Sequence, residues 1–153
     1  MASITFGTNT APTVTNLQSL GDDSYWQSAV IDNAGGAFTM EIFLTIVTTT
    51  TAGSATGRVD VFIAGSTDGG TDFAAGASGS EGSFTDSANT RIRQARLIGT
   101  MPVDASETTA RTLKYHFITA QLPEDFAILI GNQTGTGLGS SGNAVEYRLN
   151  TTG

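Results

Sequence analysis

Met40-Glu41-Ile42-Phe43-Leu44-Thr45-Ile46 is the stretch on which the fold class turns. In an extended chain successive side chains point to opposite faces, so Met40, Ile42, Leu44 and Ile46 share one face and Glu41 and Thr45 the other. The same alternation returns in Val59, Val61 and Ile63, with Arg58, Asp60 and Phe62 opposite. It appears again in Leu113, Tyr115 and Phe117, which alternate with Lys114, His116 and Ile118. Burying one such apolar set stabilises the fold by about 5–10 kcal/mol gross, at roughly 1.5–3 kcal/mol per side chain. No window sustains apolar residues at i, i+3, i+4 and i+7, so helix is at most a minor component.

Short apolar runs separated by Gly, Asn, Asp and Ser clusters predict strands near Ile4–Phe6, Thr13–Leu17, Trp26–Ile31, Phe38–Val47, Arg58–Ala64, Ile92–Met101, Leu113–Ile118, Phe126–Asn132 and Val145–Leu149. Strands with one wet and one dry face must pair two sheets or close a barrel. The pattern predicts an all-β protein: a single-domain antiparallel β-sandwich, jelly-roll-like, with about eight or nine short strands. Residues 1–12 form an N-terminal arm and residues 13–153 the sandwich domain. Within that domain, 65–90 is a long Gly/Ser/Asp-rich excursion anchored by Phe73 and Phe84, starting with a hairpin-like turn at Asp68-Gly69-Gly70. The segment Thr48–Gly57 reads as a hairpin tip, and Gln133–Asn143 as a loose Gly/Ser/Thr loop.

The chain has 153 residues, a net charge of −7 and a single lysine, Lys114. Such a charge repels nucleic acid and anionic lipid. The start, Met1-Ala2-Ser3-Ile4-Thr5, has neither the basic nor the apolar region of a signal peptide, and no apolar run is long enough to span a bilayer. With no cysteine there is no disulfide or thiolate metal site, which fits synthesis in a reducing cytoplasm. Only 14% of residues are charged, against about a quarter in ordinary globular domains. A hydroxyl-rich, weakly charged surface suits packing against neighbouring subunits, and suits a Thr-rich monomeric sandwich equally.

Few residue sets point to chemistry. Gly137-Leu138-Gly139-Ser140-Ser141-Gly142 matches G-x-G-x-x-G, but the strand-like Val145–Leu149 follows it where a phosphate-binding helix should open, so a flexible loop is the better account. His116 is the sole histidine; without a nucleophile elbow it reads as a surface or interface residue. Asp22/Asp23, Glu124/Asp125 and Asp68/Asp72 are carboxylate pairs that more often mark solvated loops than a glycosidase pair. Asp68–Asp72 offers oxygens to Ca²⁺ but lacks the framework of a calcium loop. No catalytic residue, cofactor or metal ligand is assigned. Arg91, Arg93 and Arg96 are candidate subunit contacts, because the guanidinium fork meets carboxylates bidentately. Ile4 and Phe6, on the arm, are candidates for the same role. Tyr25-Trp26 is either a sugar-stacking platform or a core pair at a sheet edge.

Four strings carry a family resemblance: Ile4-Thr5-Phe6-Gly7, Trp26-Gln27-Ser28-Ala29-Val30-Ile31-Asp32-Asn33, Ala64-Gly65-Ser66-Thr67-Asp68-Gly69-Gly70-Thr71-Asp72-Phe73 and Arg96-Leu97-Ile98-Gly99-Thr100. In order and flavour the chain resembles small all-β virion structural proteins of tailed phages, of the capsid decoration (cement) or tail-associated type. The resemblance implies a β-sandwich that binds other virion proteins, the major capsid protein foremost, as a homotrimer and without a reaction of its own. It implies a place in the virion after synthesis in the host cytoplasm. A tail tube, tail-tip or fibre component is the alternative, and a carbohydrate-binding sandwich module is the alternative of another class.

Overall fold

The computed structural model describes residues 3–66, 68–86, 91–106 and 108–153. Among them, ten strands run in chain order: β1 Ile4–Phe6, β2 Ser24–Gln27, β3 Ile31–Asp32, β4 Thr39–Val47, β5 Gly57–Ser66, β6 Gly82–Thr85, β7 Arg96–Val103, β8 Thr112–Ala120, β9 Asp125–Gln133 and β10 Ala144–Thr152. They form an antiparallel sandwich. One sheet has the order β1-β10-β4-β8; the other has β6-β2-β9-β5-β7, with β3 also on β9.

No two consecutive strands pair, so every ladder joins distant parts of the chain. The expected hairpin at Thr48–Gly57 is therefore absent, whereas Asp68-Gly69-Gly70 lies in a turn closed by an isolated antiparallel bridge between Ser66 and Phe73. The first segment carries the chain from β4 in one sheet to β5 in the other. In the second, the Asp68 carboxylate accepts hydrogen bonds from the Ser66 hydroxyl and from the backbone N–H groups of Thr71 and Asp72. It closes its own turn, and those donors, the Asp72 N–H foremost, hold its carboxyl below the usual range.

The first two alternating sets meet between the sheets as expected, whereas in the third Leu113 and Phe117 are only half-buried and Tyr115 is exposed. Met40, Ile42, Leu44 and Ile46 from β4 face Val59, Val61 and Ile63 from β5 and Phe126, Ile128 and Ile130 from β9, all buried. Strand β9 departs from simple alternation, with every residue from Phe126 to Asn132 buried. Its even-numbered side chains join that core, while Ala127 and Leu129 join a second apolar layer on the outer face of the six-stranded sheet. Tyr25, Phe73, Ala75, Ala77 and Ile92 complete this layer, packed by Phe62 and Phe84. The described residues of the 65–90 excursion, through the short β6, thus fold back over their own sheet.

Three strand expectations are corrected. Thr13–Leu17 is instead a 3₁₀ turn at Thr15–Leu17, which drives Leu17 fully into the core. Ile92–Met101 begins as a 3₁₀ turn, Ile92–Gln94, before β7. Trp26–Ile31 is divided into β2 and β3 because the Ser28 hydroxyl, rather than a backbone carbonyl, accepts the Ile128 N–H. The Gln133–Asn143 loop is not loose. Leu138 is buried, and its flanks bond Leu20, Val47 and Ser19 through the backbone, closing one end of the sandwich.

The N-terminal arm lies against the body. β1 pairs antiparallel with β10, Ile4 opposite Thr152 and Phe6 opposite Asn150, and Thr10 bonds Tyr147 beyond it. A side chain at Gly7 would overlap the Leu149 carbonyl oxygen. Gly7→Ala is therefore expected to loosen β1 from β10 while the sandwich stays folded. Hydrogen exchange in residues 3–7 should rise well above wild type, with the core amides unchanged. Equal protection in both proteins would show that β1 does not depend on this close approach.

Candidate functional site

The outer faces of the two sheets are treated differently by the chain. The excursion covers the six-stranded sheet, whereas the described residues leave the four-stranded sheet bare. The strand register sets this bare face row by row: Ala144, Thr45 and Lys114; Glu146, Phe43 and His116; Arg148, Glu41 and Ile118; Asn150, Thr39 and Ala120. Phe6 extends the last row and Ile4 lies opposite Thr152. Ile4, Phe6 and Ile118 are 58%, 61% and 67% exposed, unusually open for large apolar side chains.

At the centre Glu41 is buried, although it lies on the outward side of β4. Arg148 grips it bidentately, Nε to Oε1 at 2.8 Å and Nη2 to Oε2 at 2.9 Å. Asn150 Nδ2 donates to Oε1 at 3.1 Å, and His116 Nε2 lies 2.9 Å from Oε2. The Arg148 bonds, helped by Asn150 and His116, outweigh the cost of burial and lower the Glu41 pKa to about 2. Above this carboxylate a stack crosses the whole sheet. The Arg148 guanidinium sits 4.9 Å from the Phe6 ring and 5.6 Å from the Phe43 ring. Phe43 in turn stacks on His116, with centroids 4.6 Å apart and planes 2° off parallel. Four strands are thus tied by one ion-pair hub and one π stack. Beside the stack, Asn9, Phe43, Thr45, Lys114, His116 and Glu146 edge an open groove of about 380 Å³.

The edges of the sheets are also unequal. β6 is shielded by the 3₁₀ turn at Thr15–Leu17, where Glu81 receives the backbone and side-chain N–H groups of Asn16. β7 and β8 are stapled across the seam by Arg96, which donates to the Ala120 carbonyl and the Thr119 hydroxyl. β1 has no such cover among the described residues.

The expected site residues separate accordingly. Ile4 and Phe6 lie exposed on β1. Arg91, Arg93 and Arg96 do not form one patch. Arg91 donates to the carbonyls of Ala75 and Gly76 and lies 4.9 Å over the Phe84 ring, clipping the excursion down. Arg96 serves the seam, and Arg93 is exposed. Tyr25 and Trp26 are no sugar platform. Trp26 is wholly buried between the sheets with its indole N–H on Glu81, and Tyr25 lies beneath Phe84, its ring stacked at 5.5 Å. The Glu41–Arg148 hub went unrecognised in the sequence, since its members lie 107 positions apart. A glutamate amid an apolar alternation was its one visible sign.

Among the described residues no group of three or more His, Cys, Asp or Glu side chains could hold a metal ion, and no helix is long and apolar enough to cross a membrane. No protein-family model matches the chain, and no curated protein does. Among solved structures, it is similar to a dimeric latent PorU from Porphyromonas gingivalis, at 11% identity and a TM-score of 0.37. It is also similar to an arabinose-bound α-L-arabinofuranosidase, at 12% identity and 0.35. These likenesses cover 98% and 99% of this chain but only 13% and 22% of those proteins.

Proposed function

We propose that the protein is a non-enzymatic structural subunit of a tailed-phage particle, a capsid decoration protein that strengthens the shell by bridging neighbouring capsid subunits. The observation that carries this reading is the bare β1 edge, with Ile4 and Phe6 exposed, while among the described residues β6 is covered by the Thr15–Leu17 turn and Arg96 links β7 to the end of β8. An unpaired strand edge accepts an extended segment of another chain, using backbone hydrogen bonds for affinity and apolar side chains for register. Each copy that binds only the assembled lattice stabilises it by mass action. The net charge of −7 suits the outer surface of a head rather than contact with packaged DNA. The resemblance of the four strings to virion proteins points the same way.

The test is co-sedimentation with empty shells of the same phage. Wild type is expected to pellet with the shells at saturable occupancy, and a variant lacking residues 1–7 to lose at least tenfold in affinity while keeping its fold. Undiminished binding by that variant would remove β1 from the interface. A protein that ignores shells and assembles alone into rings or tubes would instead belong to the tail. The carbohydrate reading has lost its platform with the burial of Trp26.

A further inference from the structure

We infer that the groove between the β3–β4 loop and the β8–β9 loop is a saccharide-binding site, with Phe38, rather than the buried Trp26, as its platform. The inference uses no residue of β1 and does not rest on the decoration reading.

The two loops are laced into a fixed shape. The groove measures about 360 Å³ and is lined by Asn33, Gly36, Phe38, Gln121 and Glu124. Sites for small ligands run from about 300 to 1,000 Å³. Buried Asn33 ties the loops together: its backbone N–H donates to the Glu124 carbonyl at 2.7 Å, and its Nδ2 donates to the carbonyls of Ala37 and Pro123. The Gln121 N–H closes the other end on the Phe38 carbonyl at 3.0 Å. A ligand therefore meets a preformed groove and orders little backbone on binding. An added Cβ at Gly36 would meet nothing within 4 Å, so the loop does not roof the platform. Gln121 holds φ at 58°, a left-handed backbone that suits glycine and costs a glutamine stability. Residues held at such a cost concentrate at functional sites.

Three side chains set the ligand class. The Phe38 ring is 53% exposed and offers a π face to the C–H bonds of a pyranose. Among the described residues, neither the Gln121 amide nor the Glu124 carboxylate has a hydrogen-bond partner in the protein. The amide donates and accepts while the carboxylate accepts, which matches neighbouring sugar hydroxyls. No Lys, Arg or His lines the groove; Glu124 and the net charge of −7 repel an anionic ligand. A simple cation has no acceptor for the Gln121 amide, whereas a neutral hydroxylated ring answers all three groups.

Saturation-transfer NMR and titration calorimetry of the full chain test the site. The probes are methyl glycosides of glucose, galactose, mannose and N-acetylglucosamine, and their β-linked tetramers. At least one is expected to bind with a Kd of about 1 mM or below, the affinity open to a ligand of this size in a shallow groove. Phe38→Ala should weaken it at least tenfold, and Phe38→Tyr, which keeps the ring, should not. Gln121→Gly separates binding from folding. It relieves the backbone, so the thermal midpoint should not fall, while glycan affinity drops at least threefold. Leu97→Ala, at a 54% exposed position on β7, should leave binding intact. The inference is overturned if no glycan binds at about 10 mM, if Phe38→Ala binds as tightly as wild type, or if tetramethylammonium binds more tightly than every glycan.

Discussion

Trp26→Ala is expected to destabilise the protein by about 3–5 kcal/mol, the usual cost of deleting a large aromatic from a close-packed interior. For a chain of this length that corresponds to a fall of roughly 10 °C or more in the thermal midpoint. Trp26 has no exposed surface and packs with the apolar residues of both sheets. Its indole N–H also bonds the Glu81 carboxylate at 2.8 Å. That carboxylate feels the cost of burial, yet the Asn16 and Trp26 donors outweigh it and keep its pKa below the ordinary value. Removing the indole both opens a cavity and takes one donor from Glu81, loosening the link between β6 and the Thr15–Leu17 turn. Trp26→Phe, which refills most of the volume but not the bond, should recover more than half of the loss. Chemical denaturation of the three proteins measures it. A change below about 1 kcal/mol in Trp26→Ala would mean that the indole is not in the core.

The second large effect is acid-dependent. The Glu41 carboxyl titrates near 2 in the folded protein and near 4.5 in the unfolded chain. A depressed folded pKa gives stability that is fully present above about 4.5 and is lost as pH falls through about 2. The shift alone bounds this at about 3 kcal/mol, and the hub's position on a water-facing sheet surface reduces it to about 1–2 kcal/mol. Glu41→Ala is expected to cost about 2 kcal/mol at pH 7, because Arg148 and Asn150 lose their shared acceptor. Stability curves from pH 7 to 2 separate the effects: wild type should lose its advantage over Glu41→Ala as the medium is acidified. Parallel curves would show that the Arg148–Glu41 pair contributes nothing net.

The alternating stretches in β4 and β5 were legible because each buries one face against a single core, which a period of two records directly. β9 hid its second role, since Ala127 and Leu129 look like continuation of an apolar run rather than the floor of another layer. The 65–90 excursion reads as loop because its anchors, Phe73 and Phe84, are isolated in sequence and meet Tyr25 and Leu129 only through tertiary folding. The break between β2 and β3 depends on one serine hydroxyl, a detail that composition does not encode. The place of Ile4 and Phe6 on a short exposed strand could be read from an apolar pair before a polar stretch. The arginines could not be sorted, because the carbonyls that hold Arg91 and Arg96 belong to backbone distant in sequence.

Hydrogen exchange of the protein bound to shells, compared with the free protein, shows whether β1 makes the contact. Residues 3–7 and the flanking part of β10 are expected to gain at least tenfold protection, while the covered outer face of the six-stranded sheet stays unchanged. Protection confined to residues 68–86, with β1 exchanging as it does in the free protein, would contradict it.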